Sequence, residues 1–187
     1  MVGDSSTKRK KQGDFYETPK WAIEALLKRE GFDGMILEPC CGKGAISKVL
    51  EEYGYKVKSS DIAAEDNIYG EKGIDVLLIN KVSDNIITNP PYNRNILNKI
   101  VEHLSTIYVK KMALLLRLTF LEGEGRRELL SSLPLKSIYV FSSRVTMYPE
   151  NEEKPKNSGT TAYAWFVWEK GYVGQPVINW IYDKECK

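Results

Sequence analysis

Met35-Ile36-Leu37-Glu38-Pro39-Cys40-Cys41-Gly42-Lys43-Gly44 holds an apolar run, an acid and two glycines separated by one residue. An amphipathic stretch from about Ala45 to Tyr53 follows, and Gly54 ends it. The apolar run predicts a short strand and the later stretch a helix, so the glycines stand in a strand-to-helix turn. Glycine suits such a turn because the backbone bends tightly there. It also leaves room for a ligand lying on the helix N-terminus. Three readings compete. A phosphate-cradling loop needs a glycine five residues before Gly42 and a hydroxyl residue after the lysine; Leu37 and Gly44 stand there, so it fails. A dinucleotide-type fingerprint fits, with Gly42, Gly44, Ser47 in the third place and Asp61 19 residues beyond Gly42. A nucleoside-type cofactor would use the same glycines and the same acid. The third reading is a tight turn without a ligand. Glu38 argues against pyrophosphate, because a carboxylate repels phosphate and suits a cationic amine or sulfonium.

On both sides of this turn, strand-forming runs alternate with amphipathic stretches. Thr18-Pro19 predicts a helix start, with Thr18 as N-cap and Pro19 in the first turn. Trp21, Ala22, Ala25 and Leu26 then share one face. Strands are expected over Lys56 to Ser60 (ending at Asp61), Asn85 to Thr88, Met112 to Leu118, Ser137 to Phe141 and Tyr163 to Trp168. Helices are expected over Asn95 to about Ser105 and over Glu124 to Leu133. Met112 to Leu118 is nearly all apolar, as a strand buried on both faces should be. The alternation predicts an α/β fold: a mostly parallel sheet with helices on both faces, binding its ligand at the carboxyl ends of the strands. Ser142 to Thr161, with Pro149, Pro155 and Gly159, interrupts the pattern, and loops of this length are often functional.

The 187 residues, 42% hydrophobic and 28% charged, suit one ordinary domain over residues 14–187. No apolar run approaches the ~20 residues of a membrane span. No signal-peptide pattern is seen, and Cys40, Cys41 and Cys186 make no disulfide framework, so a reducing, cytoplasmic setting is expected. His103 is the single histidine, and no metal site is expected. The formal charge is +2, from 27 basic and 25 acidic residues. Residues 1–12 hold Lys8, Arg9, Lys10 and Lys11 against Asp4, leaving 23 basic and 24 acidic residues elsewhere. Residues 1–13 read as a disordered basic tail on a nearly neutral body, so nucleic-acid contact is expected to be local.

Asn85-Ile86-Ile87-Thr88-Asn89-Pro90-Pro91-Tyr92 is the sharpest signal. Two prolines after a strand impose a rigid, extended backbone without N–H donors. The carbonyls of Asn89 and Pro90, with the Asn89 amide oxygen, are then acceptors fixed beside an aromatic ring. Acceptors plus a stacking face are what a planar ring with an exocyclic amine requires.

Glu38 to Gly44 together with Asn89-Pro90-Pro91-Tyr92 resembles S-adenosylmethionine-dependent amino-methyltransferases, above all the N6-adenine DNA methyltransferases. Phe15-Tyr16-Glu17-Thr18-Pro19 matches the Tyr-x-Thr-Pro element upstream of the cofactor segment in some of them. The resemblance spans roughly Phe15 to Trp168 and is to the compact forms of phages and mobile elements. It implies a Rossmann-like class I methyltransferase fold, S-adenosyl-L-methionine as cofactor and DNA as partner. It further implies that Gly42 and Gly44 admit the cofactor, within a segment that includes Pro39 and Cys40. Glu38 would lie near the methionine amine, with Tyr16 and Thr18 at the methionine end. Asp61 would bind the ribose hydroxyls and Asp75 the adenine amine. Cys40 and Cys41 depart from the small or aromatic residues common in related turns, and read as neutral cofactor-lining thiols.

An aromatic amine is a poor nucleophile because its lone pair is delocalised into the ring. Acceptors at Asn89 and Pro90 binding its hydrogens favour a tetrahedral nitrogen that attacks a sulfonium methyl in line. Pro91 stiffens the turn. Tyr92 would stack on a base taken out of the duplex. RNA bases or a protein glutamine are alternative substrates, and a catalytically silent nucleic-acid-binding subunit is an alternative role. A dehydrogenase leaves Asn89 to Tyr92 unexplained. Target recognition is expected from the Ser142 to Thr161 loop, the tail, a second copy of the chain or a separate specificity protein. Arg144, Lys154 and Lys156 are the loop's phosphate-contact candidates, and Tyr148 a second stacking face.

Overall fold

The computed structural model describes residues 17–145, 147 and 161–182. The basic tail, Tyr16, Tyr148, Lys154 and Lys156 lie outside the described residues. Eight strands form one sheet: β1 (Met35–Glu38), β2 (Lys56–Asp61), β3 (Glu71–Lys72), β4 (Ser83–Thr88), β5 (Tyr108–Arg117), β6 (Leu135–Phe141), β7 (Tyr163–Glu169) and β8 (Val177–Ile181). The helices are α1 (Lys20–Leu27), α2 (Ala45–Glu52), α3 (Arg94–Ile107) and α4 (Glu124–Ser132).

Strand order is β3-β2-β1-β4-β5-β7-β6-β8, and only β7 runs against its neighbours. Both faces are covered, as the alternation predicts. Ile23 and Leu26 of α1 and Val49 and Leu50 of α2 pack with Ile36, Ile87, Leu115 and Trp165 on one face. Leu97, Ile100 and Leu104 of α3 and Leu129 of α4 pack with Leu37, Ile86, Leu114 and Phe166 on the other. The strand interiors alternate between these clusters residue by residue, so the sheet is largely apolar where helices cover both sides, with Asn85 and Thr88 of β4 as buried polar exceptions. Among the described residues no helix is long and apolar enough to cross a membrane.

Three local expectations need correction. Pro19, with extended φ/ψ of −60° and 140°, is the N-cap of α1, and no side chain caps the helix. The Thr18 hydroxyl instead accepts a hydrogen bond from the Asn89 amide. The strand expected from Met112 starts at Tyr108, because Lys111 enters the sheet by pairing with Glu30 at 2.6 Å and Glu169 at 3.5 Å. Finally β3 and β8 extend the sheet at its two edges; β3 has two exposed residues, and β8 exposes Val177, Ile178 and Trp180. An edge strand shows no clean burial alternation, which is what a sequence pattern reports.

The order reverses between β1 and β4: β1 leads outward to β2 and β3, β4 to β5 and beyond. Such a switch point leaves a crevice at the strands' carboxyl ends, where open α/β sheets bind ligands. The glycine turn leaves β1 at this point, and the Asn89-Pro90-Pro91-Tyr92 turn leaves β4 beside it.

Candidate active site

The glycine turn is held from below and above. Cys41 N–H donates to the Ser60 carbonyl at 3.0 Å, and Gly44 N–H to the Cys41 carbonyl at 2.8 Å. Gly42 and Gly44 both have positive φ, 50° and 83°. At Gly44 the absent side chain has a protein reason: an added Cβ would lie 2.4 Å from Cγ of Tyr69. Tyr69 comes from the segment after β2, its N–H donates to the Gly42 carbonyl at 2.9 Å, and its hydroxyl reaches Glu51 at 2.5 Å. Room at Gly44 is therefore taken by Tyr69, and the close backbone approach expected there narrows to Gly42.

Two acids adjoin the turn, and a third, Asp75, follows Ile74, whose N–H donates to the Asp61 carbonyl at 2.9 Å. Glu38, at the end of β1, is 1% exposed and accepts from the Ser47 hydroxyl, which also lies 2.5 Å from Ser59 Oγ. Burial pushes its carboxyl up to about 8, against the opposite pull of the Ser47 hydrogen bonds, and Asp61 and Glu51 add to the rise. Asp61, at the end of β2, accepts from Gly42 N–H at 2.8 Å and from Ala63 N–H at 2.9 Å. It thus braces the glycine turn while two of its roughly four acceptor positions remain. Asp75 caps a short 3-10 turn, Val76–Leu78, by accepting from Leu77 N–H at 2.9 Å. Pro39 and Cys40 connect Glu38 to the glycines. Burial raises both thiols, Cys41 to about 12 and Cys40 further, so both are neutral and neither is a nucleophile.

The second turn is tied to three distant segments. Asn89 donates to Thr18 Oγ1 at 3.2 Å and to Met147 Sδ at 3.5 Å, and its Oδ1 accepts from the Tyr92 hydroxyl. That hydroxyl also lies 3.3 Å from the Leu115 carbonyl, an alternative acceptor for its single proton. Pro90 is buried and Pro91 exposed. Among the described residues no hydrogen bond ends on the Pro90 carbonyl. The Tyr92 ring packs against Tyr163, with centroids 5.6 Å apart and planes tilted by 45°, and under the Arg117 guanidinium at 4.8 Å. Burial raises the Tyr92 hydroxyl well above its ordinary range, so it stays protonated and donates. Tyr92 is thus half-buried and hydrogen-bonded inward rather than presenting a bare ring. Arg144 is exposed beyond β6, at the same end of the sheet.

Thr18, Glu38, Pro39, Cys40, Gly42, Gly44, Asp61, Asp75 and the Asn89 turn all fall on the carboxyl edge. Sequence reasoning missed Ser47 as the partner of Glu38, Tyr69 as the cover of Gly44, and Met147, Tyr163 and Arg117 around the second turn. Only Arg117 left a visible signal, as the single charge in the run from Met112 to Leu121. Among the described residues no cluster of His, Cys, Asp and Glu could hold a metal ion. A groove of about 270 Å³ lined by Glu102, Ser105, Glu128, Leu129 and Ser132 holds none of these residues.

No protein-family model and no curated protein sequence matches the chain. Solved structures do. A modification subunit of a proposed type I restriction enzyme from Vibrio vulnificus superposes with a TM-score of 0.60 at 14% identity, over 91% of this chain. The chain spans 48% of that subunit. A proposed RNA methyltransferase from Pyrococcus horikoshii gives 0.62 at 14% identity, covering 84% of this chain and 87% of that one. A magnesium protoporphyrin IX methyltransferase from Synechocystis, solved with bound S-adenosylmethionine, gives 0.53 at 13% identity over 80% and 79%. The fold is the Rossmann-like class I methyltransferase fold.

Proposed function

We propose that the chain transfers a methyl group from S-adenosyl-L-methionine to the exocyclic N6 amine of adenine in DNA. The observation that carries this reading is the Asn89-Pro90-Pro91-Tyr92 turn standing at the switch point beside the glycine turn. The cofactor fits the residues present. Ser60 Oγ is buried at the carboxyl end of β2 with no hydrogen-bond partner among the described residues. Glu38 and Asp61, ending β1 and β2, and Asp75, capping the 3-10 turn, have acceptor capacity left and suit an ammonium, a ribose diol and an aromatic amine in turn. Gly42 lets the ligand pass close to the backbone.

When bound, the cofactor supplies an electrophilic methyl on a sulfonium. The protein supplies acceptors and orientation. Asn89 Oδ1 and the Pro90 carbonyl take the two hydrogens of the substrate amine, which turns its lone pair away from the ring. Asn89 Oδ1 holds the Tyr92 hydroxyl in the free protein, so the amine replaces one donor by another and leaves no buried acceptor unpaired. Thr18 keeps the amide in register from behind. No side-chain nucleophile is involved, and the amine's surplus proton leaves to solvent once the nitrogen carries the methyl group.

Methylation by purified protein with labelled cofactor on adenine-containing DNA, with sequencing for modified adenines in the expressing host, tests this. N6-methyladenine in DNA is the expected result. Label entering only RNA or protein would replace the substrate; no cofactor binding would overturn the reading.

A further inference from the structure

Arg117 ends β5 at the carboxyl edge and is exposed. Its guanidinium carbon lies 4.8 Å from the centroid of the Tyr92 ring. Among the described residues no carboxylate pairs with it. Lys110 and Lys111 of the same strand are instead bonded to Asp33 and Glu30 at 2.5 and 2.6 Å. Arg117 is opposite Tyr163 in the β5–β7 ladder, and Tyr163 is the other aromatic against Tyr92.

A guanidinium is planar, weakly hydrated and at ease on an aromatic face, where it gains roughly 0.5–1 kcal/mol at an exposed site. It has the shape of a small planar ring, and it covers the Tyr92 face on which a planar substrate would stack. A stacking ring and this guanidinium cannot occupy that face together. The contact is weak enough to exchange, and a guanidinium moved off the ring needs an anionic partner to recover what it loses. A phosphodiester supplies one, in a bidentate geometry.

We propose that Arg117 is a substrate-positioning residue: it covers the Tyr92 ring in the free protein, yields that face to the substrate base, and then pairs with a phosphate of the same polynucleotide. This rests on the methyl-transfer reading above and deepens it, because a guanidinium displaced to a phosphate makes the substrate a polynucleotide rather than a protein side chain.

The test compares the wild-type chain with Arg117→Met and Arg117→Lys, using a single-stranded adenine-containing oligonucleotide at several salt concentrations. Arg117→Met should lower the log–log salt slope by about 0.7, the value of one contact to a single strand, and raise KM several-fold with kcat held within a few-fold. Arg117→Lys should restore the slope and bring KM back to or below the wild-type value, because an ammonium pairs with phosphate but covers the Tyr92 ring less well against the incoming base. Cofactor affinity equal to wild type in both variants reports an intact fold. An unchanged slope in a folded Arg117→Met that still methylates the oligonucleotide overturns this inference and leaves the function standing. A wild-type chain that binds no polynucleotide overturns both.

Discussion

The side-chain amide of Asn89 donates to Thr18 Oγ1 at 3.2 Å, across 71 residues of sequence. A residue ahead of the first helix thereby sets the orientation of the residue to which the proposed function gives the substrate amine. Thr18→Val keeps the shape and deletes the acceptor, which should remove about 0.5–1.5 kcal/mol of hydrogen bonding. Steady-state kinetics should show kcat falling several-fold with cofactor affinity unchanged. Loss of cofactor binding with normal kcat would place Thr18 at the cofactor instead.

Asn89→Ala removes the amide altogether. Methyl transfer should drop below detection while calorimetric cofactor affinity stays within a few-fold of wild type. Normal turnover in this variant would take Asn89 out of the chemistry.

Gly44 and Tyr69 make a steric pair. Gly44→Ala must hold an alanine at φ 83° and place Cβ 2.4 Å from the tyrosine ring, with an expected loss of about 1–3 kcal/mol. Adding Tyr69→Ala should return only the steric part, since the left-handed backbone remains. Urea denaturation of the two single variants and the double variant measures this coupling, and strictly additive losses would show that the ring is no obstacle.

Glu38 makes stability depend on pH. Its carboxyl is raised from 4.5 to about 8 in the folded protein, so the folded state holds a proton that the unfolded state releases. This contribution is full below 4.5 and is lost as pH rises towards 8, a decline on the order of a few kcal/mol. Glu38→Gln should flatten that decline in denaturation curves taken from pH 4 to 8. A cationic amine binding beside Glu38 favours its ionised form, so cofactor binding at pH 7 should release close to one proton. Calorimetry in buffers of different ionisation heat counts it, and a count of zero would move the amine away from Glu38.

Lys111 and Glu30 form an ion pair with 19% and 4% of their side chains exposed, and the Tyr139 hydroxyl completes Glu30 at 2.7 Å. Lys111→Met leaves a buried carboxylate uncompensated and should cost about 3–5 kcal/mol. Adding Glu30→Gln should recover most of that loss; no recovery would assign it to packing.

Much of the carboxyl edge is legible in the sequence because its residues act through the chain itself. Glycines at a strand end and prolines after a strand dictate backbone shape locally, so the two turns and β1, β2, β4 and α2 follow from Met35 to Tyr92. What escapes is contact between segments distant in sequence. Nothing near Thr18 says that its hydroxyl serves Asn89 rather than a helix, because both uses need the same residue. Nothing in Gly44 separates room for a ligand from room for Tyr69. The reversed direction of β7 is likewise a tertiary property: Tyr163 to Trp168 is apolar on both faces whichever way it runs.

That reversal governs how the chain can diversify. Because β7 is antiparallel, the chain departs from β6 at Phe141 and re-enters the sheet at Tyr163, on the adjacent strand and at the same level, since Val140 is opposite Ala164. Both ends of the intervening segment are therefore anchored about one strand spacing apart, roughly 4.8 Å, beside Tyr92 and Arg117. Doubling the length of a segment closed in this way costs only about 0.6 kcal/mol in chain entropy. The junction admits segments of different length and chemistry, provided that Val145 keeps its place in the core and Met147 its contact with Asn89. On the function proposed above, a new target preference would then arise by changes at a single address.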